Sequence, residues 1–209
     1  MKWVWIVGCL ALMIVQYLIY QSIKWGSEDH KWQEWFFKGS TTALSALLAM
    51  YGYFSQPSAI RLLIVVGLCV CVVADVILDR HFLAGTVAFG FAHLCYCAAM
   101  VSFNPPGVIN VIVFLALAGL VFALYPTLKK LSGGKSVLPY VGYALIISAM
   151  LSMAVTQRKL CLGAALLFAV SDAMLLFRIV KNIPSKKYDY VCLGCYFLAQ
   201  FLFAVATVI

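Results

Sequence analysis

Two carboxylic acids lie inside long apolar runs: Asp75 in VVADVIL and Asp172 in GAALLFAVSDAMLLF. One imidazole, His93, lies inside a third run, AFGFAHLCYC. An ionisable side chain surrounded by hydrocarbon is costly, so it faces the protein interior and is a functional candidate by default. Two carboxyls close together hold one proton between them near neutral pH. That is the state general acid–base catalysis asks for. Asp75 and Asp172 are therefore expected to act as a catalytic pair, with Asp172 the deeper and the proton donor. The plainer alternative is a structural hydrogen-bonded role, or an ion pair with Lys38. Asp79 follows Asp75 by one helical turn and shares its face, but reads as a loop residue or polar anchor at the membrane edge.

Other groups can support such chemistry. Phe89, His93 and Tyr96 share one helix face by their spacing. Tyr196 and Gln200, four residues apart, bring a hydroxyl and an amide to one face of the last apolar run. Lys38, in FFKGSTTAL, either snorkels to the interface or neutralises a carboxylate or a lipid phosphate. Lys38, Asp75, His93, Tyr96, Asp172, Tyr196 and Gln200 are expected to converge on one cavity with apolar walls. Gly85 and Gly90 are expected to permit close helix approach.

The elements that position these residues are apolar helices. The chain has 209 residues, of which 65% are hydrophobic and 11% charged, with a mean hydropathy of +1.02. Soluble domains are roughly half apolar and about a quarter charged, and a globule of this size could not hide the excess. The apolar runs are continuous, not the alternating ten-residue segments of a β-barrel. The expected class is all-α: a polytopic membrane protein with eight transmembrane helices in one bundle, forming a single domain over residues 1–209. The spans fall near 3–23, 36–54, 59–78, 82–102, 108–128, 137–155, 159–180 and 189–208. The first is too long for a signal-peptide core and is expected to be retained. Residues 24–35 read as a polar loop in which Trp25, Trp32 and Trp35 sit at the interface. Glu28, Asp29 and His30 belong to that loop, Gly133, Gly134 and Lys135 to a later one, and Pro184 to the last.

The net charge of +8 reads as membrane flanking rather than nucleic-acid binding. Eleven of the fifteen Lys and Arg fall after the first, third, fifth and seventh spans; only Lys2, Arg61, Arg158 and Lys159 fall on the other side. The positive-inside rule then places both termini outside the cytoplasm. Short loops and a compact chain point to a bacterial inner membrane. The eight cysteines lie in apolar segments without zinc-site spacing and read as small packing residues. No metal or other cofactor is expected.

Several motifs resemble the YhhN family, which includes the transmembrane-86 proteins called lysoplasmalogenases. WQEWFFKGSTTAL is similar to the family's start of span two, with its lysine at Lys38. VVADVIL resembles a Gly-Asp-hydrophobic-Leu motif at Asp75, and AFGFAHLCY a motif carrying His93 and Tyr96. GAALLFAVSDAML resembles a Ser-Asp motif at Ser171 and Asp172. YFLAQFL resembles the Tyr-x-x-Ala-Gln ending at Tyr196 and Gln200. Ala74 stands where the family usually has glycine, and Gly39 where proline commonly follows the lysine. The resemblance implies hydrolysis of the vinyl ether bond of a lysophospholipid, lysoplasmalogen, to a fatty aldehyde and a glycerophospho-alcohol. It also implies supporting roles for Lys38, His93, Tyr96, Ser171, Tyr196 and Gln200. The residue chemistry suits that reaction, since a desolvated carboxylic acid can protonate the vinyl ether and a second can assist water. Two other classes remain open on sequence: a metal-dependent membrane hydrolase using His93 with aspartates, and a lipid or small-molecule transporter.

Overall fold

In the computed structural model the chain is all helical among the residues the structure describes, 2–26, 31–131, 136–181 and 185–209. The helices are α1 (Lys2–Lys24), α2 (Lys31–Ser55), α3 (Ala59–Leu78), α4 (Phe82–Phe103), α5 (Val108–Leu131), α6 (Leu138–Ala154), α7 (Lys159–Lys181) and α8 (Lys186–Val208). Six of them, α1, α3, α4, α5, α7 and α8, are long and apolar enough to cross a membrane. α6 is apolar but has 17 residues, about 25 Å at 1.5 Å per residue. α2 is diluted by Lys38, Ser40, Thr41, Thr42 and Ser45, and it turns Lys38, Thr41, Thr42 and Ser45 into the bundle.

The polar stretch expected as a loop is partly helix. Residues 31–35 form the opening of α2, with Glu34 in the first turn, where a carboxylate complements the helix dipole. The loop residues Glu28, Asp29, His30, Gly133, Gly134, Lys135 and Pro184 lie outside the described residues. The tryptophans near this end are used unequally. Trp25 donates through Nε1 to Asp189 at 3.4 Å, the Arg80 guanidinium lies 4.0 Å over the Trp35 ring, and Trp32 is exposed.

α8 is the helix the bundle closes around. It packs against α1, α2, α3 and α7, and its inward positions are Ala199, Ala204 and Thr207 among large aromatics. Its polar groups tie down several neighbours. Asp189 pairs with Lys24 of α1 at 2.9 Å and with Arg178 of α7. Cys192 donates to the Ser171 carbonyl of α7 at 3.3 Å. Tyr196 reaches α3, Gln200 reaches α4, and the Thr207 carbonyl accepts from Arg61 at 2.7 Å. α5, by contrast, packs mainly on α6 and leaves most of its surface outward.

The α3–α4 pair is held tightly at Gly85. A Cβ there would fall 2.7 Å from the Leu78 nitrogen, so only glycine allows the helices to turn back so closely. Gly90 differs from expectation: its Cβ would meet Ile146 at an ordinary 3.6 Å. α4 and α7 make no close backbone approach. The rings of Phe89, His93 and Phe168 span the gap between them, and an open space remains beside those rings.

Candidate active site

α2 and α3 meet through two rungs, each set by a four-residue step on both helices. In the first, Lys38 Nζ donates to Asp79 Oδ1 at 2.9 Å. In the second, Thr42 Oγ1 donates to Asp75 Oδ2 at 2.5 Å. Tyr196 of α8 donates to the same Asp75 oxygen at 2.7 Å. Asp75 is 1% exposed and Lys38 4%, so the inner part of this ladder is closed off from lipid and water, while Asp79 stands at its exposed rim. Lys38 takes Asp79, not Asp75, as its hydrogen-bonded partner, and Asp79 is more than the edge anchor its position implied.

Asp172 sits in a second cluster, on the other side of the aromatic layer. Tyr143 of α6 donates to Asp172 Oδ2 at 2.9 Å. His93 Nε2 lies 3.1 Å from the Tyr143 oxygen and 3.5 Å from Asp172 Oδ2. A tyrosine hydroxyl has one proton. When Tyr143 gives it to an ionised Asp172, His93 must present Nε2–H to the Tyr143 oxygen. When Asp172 carries the proton, the chain reverses, and Tyr143 donates to a bare Nε2. The His93 ring is fixed edge-on against Phe168, with centroids 4.4 Å apart.

Asp172 lines a cavity of about 270 Å3 bounded by α4, α5, α6 and α7. Its walls are mostly leucine, valine and phenylalanine; Thr86, Tyr143, Ser148 and Asp172 are among the few polar groups. The expectation that Asp172 is the more desolvated acid is corrected here. Its side chain is 12% exposed, whereas Asp75 is sealed by α2 and α8. The gap between α4 and α7 leaves Asp172 open to the cavity.

The expectation of a single shared cavity is corrected as well. Of the seven residues expected there, Asp172 lines this space, and Tyr96 lines a different one at the other end of the bundle. Tyr96 donates to Gln200 Oε1 at 3.1 Å and stacks on Phe203. Ser171, next to Asp172, points instead to α8, 3.7 Å from Cys192 Sγ, because one residue rotates the side chain by about 100° around a helix. Among the described residues no hydrogen bond joins Asp75 to Asp172. Phe89 separates their surroundings: it lines the cavity on one side and meets the Tyr196 ring edge-on at 5.7 Å on the other.

A family model for YhhN matches residues 33–207, from the opening of α2 to the last turn of α8. The chain belongs to the YhhN family. No curated protein and no solved structure matches it. Within this YhhN chain, three polar contributors escape a reading of the motifs alone. Thr42 lies one turn after Lys38, which is a usable signal. Asp79 is legible as an acid one turn past Asp75, but its position alone does not reveal its bond to Lys38. Tyr143, in LPYVGYALII, carries no pattern that marks it, since its importance comes from α6 facing α4 and α7.

Proposed function

We propose that this protein hydrolyses the vinyl ether bond of a lysophospholipid of the lysoplasmalogen type, releasing a fatty aldehyde and a glycerophospho-alcohol. One observation carries the reading: Asp172 is a carboxyl set in the wall of an apolar cavity and wired to Tyr143 and His93. A cavity of that character suits an alkenyl chain with its polar bond at one point. Membership of the YhhN family supports the same activity.

The chemistry follows from the groups. Asp172 gives its proton to the alkenyl carbon β to the ether oxygen. The oxygen lone pair forms the new C=O+ bond of an oxocarbenium ion, and Asp172 becomes a carboxylate beside it. Water adds to the cationic carbon and loses a proton to the Tyr143 oxygen, while the Tyr143 hydroxyl proton passes to the Asp172 carboxylate and restores the acid. The hemiacetal then breaks its bond to the glycerol oxygen, giving the aldehyde and the alcohol. Tyr143, held by His93 in the reversible chain described above, is thus the group that recharges Asp172. Asp75 is the second carboxylate of the site. It lies behind Phe89 and Tyr196, and its part in this proposal is to stabilise the cation electrostatically once those rings part for the entering chain. Lys38 holds Asp79 and keeps the α2–α3 ladder in register; Tyr96, Ser171 and Gln200 brace α8 against α4 and α7.

The substrate arrives from the bilayer. All eight helices cross the membrane in this proposal, with α2 shielded by α1, α3 and α8 despite its polar face. The basic residues at the Lys24, Arg80 and Arg178 end support a cytoplasmic side for that end and an outer side for both termini, and the membrane of this proposal is a bacterial plasma membrane. The deciding experiment is turnover of an alkenyl lysophospholipid by the purified protein, followed by aldehyde release. Asp172→Asn and Asp75→Asn should each fold and lose activity by about a hundredfold or more. A folded Asp172→Asn protein with full turnover would refute the mechanism.

A further inference from the structure

The opposite end of the bundle holds another cavity, about 170 Å3, which the chemistry above does not use. It lies where α3 and α7 begin and α4 and α8 end, at the far ends of α4 and α7 from the Asp172 cavity. Ser58, Arg61, Gln157 and Arg158 form its polar side. Tyr96, Met100 and Phe203 form its apolar side, and Tyr96 and Phe203 are 0% and 1% exposed. The cavity therefore has a charged mouth and a buried hydrocarbon floor.

Among the described residues no acidic side chain answers the charge at that mouth. The acids among them, Glu34, Asp75, Asp79, Asp172 and Asp189, all lie toward the other end of the bundle. Arg61 is fixed by bonds from Nε to the Thr207 carbonyl at 2.7 Å and from its two other nitrogens to the Gln56 carbonyl and side chain at 2.7 and 2.8 Å. Those bonds hold the guanidinium in place and leave its charge unpaired. Arg158 is exposed, and its guanidinium lies 5.4 Å from the Phe103 ring centre. Among the described residues neither arginine has an ion pair. A guanidinium carries five donors and binds phosphate or carboxylate in a fork, so two of them beside an apolar floor define a specific ligand chemistry.

We propose that this cavity binds an anionic amphiphile, with a phosphate or carboxylate headgroup between Arg158 and Arg61. The first carbons of the chain lie on Tyr96, Met100 and Phe203. The space is smaller than the roughly 300 Å3 at which pockets for whole ligands begin. It takes the head and the adjoining carbons, and the remaining chain passes over exposed Phe103 into the bilayer. The assignment does not depend on the vinyl ether reading.

Cys161 lines this cavity and reports on it. The full chain, purified in a neutral maltoside, is alkylated with a maleimide, and labelling of Cys161 is followed by peptide mass spectrometry, with Cys195 as internal control. Dodecyl phosphate or dodecanoate at ten times its dissociation constant should slow Cys161 labelling about tenfold and leave Cys195 unchanged. Arg158→Gln should raise the dissociation constant about tenfold. Equal protection by dodecyl trimethylammonium would mean a hydrophobic crevice and overturn the proposal. Equal protection by inorganic phosphate would mean a free-anion site and overturn the amphiphile. Absence of protection, or protection unchanged in Arg158→Gln, would overturn it too.

Discussion

Replacing Tyr143 by phenylalanine removes one oxygen and leaves the ring. The ring keeps its packing beside His93, 5.6 Å between centroids, so the fold should persist. What disappears is the bond to Asp172 at 2.9 Å and the link to His93 at 3.1 Å. The remaining His93–Asp172 separation, 3.5 Å, is too long for a good hydrogen bond. A hydrogen bond to a charged group contributes about 1.5–3 kcal/mol. If Tyr143 serves the reaction by recharging and holding Asp172, that energy appears in the barrier, and kcat falls by about ten- to a hundredfold at one decade per 1.36 kcal/mol. The KM should change little, because the hydroxyl is one atom of a large apolar cavity. The assay is steady-state aldehyde release with the melting temperature of the same sample beside it. His93→Gln should show a comparable loss, and the double variant should lose less than the sum, since both act through one chain. Full kcat in folded Tyr143→Phe would refute the relay. So would strict additivity of the two losses.

Other outcomes test the framework around the site. Asp79→Asn strips the partner from buried Lys38 and should destabilise by about 3 kcal/mol, at the lower end for a broken buried pair because Asp79 is itself partly exposed; Lys38→Met, which leaves Asp79 able to reach water, should cost less in the same thermal melt. Gly85→Ala should cost about 1–3 kcal/mol through overpacking against Leu78, whereas Gly90→Ala should be near neutral, and equal melts for the two would contradict the close α3–α4 approach. Tyr196→Phe removes one of two hydroxyls from Asp75 and should lower stability by about 1–3 kcal/mol, read by chemical denaturation in detergent.

The helices and most of their ends are legible in the sequence because the signals are strong: continuous apolar runs, Asn104-Pro105-Pro106-Gly107, and the polar turn at Asp79. Where the reading of α2 goes wrong, at residues 31–35, charge and tryptophan mimic an interfacial loop while the backbone already follows the helix. Among the site residues, intramembrane Asp75, His93 and Asp172 announce themselves by being polar in hydrocarbon. Their grouping does not. Whether two acids touch depends on how α3, α7 and α8 are rotated, and the Phe89 ring between the Tyr196 cluster and the cavity decides it. Tyr143 stays hidden for the same reason: a tyrosine in an apolar helix is ordinary until its neighbours are known.

The ties radiating from α8 bear on how the bundle is assembled during synthesis. Asp75 meets Tyr196 across 121 residues of chain, Tyr96 meets Gln200 across 104, and Arg61 meets the Thr207 carbonyl across 146. α3 and α4 are therefore made with polar groups whose partners have not yet left the ribosome. Domains built on such distant pairings assemble slowly and expose unmatched groups while they wait. Insertion of α8 satisfies those groups together. Variants that weaken α8 leave polar groups on α1, α2, α3, α4 and α7 short of a partner, and should be recognised by membrane quality control as unfinished rather than as damaged.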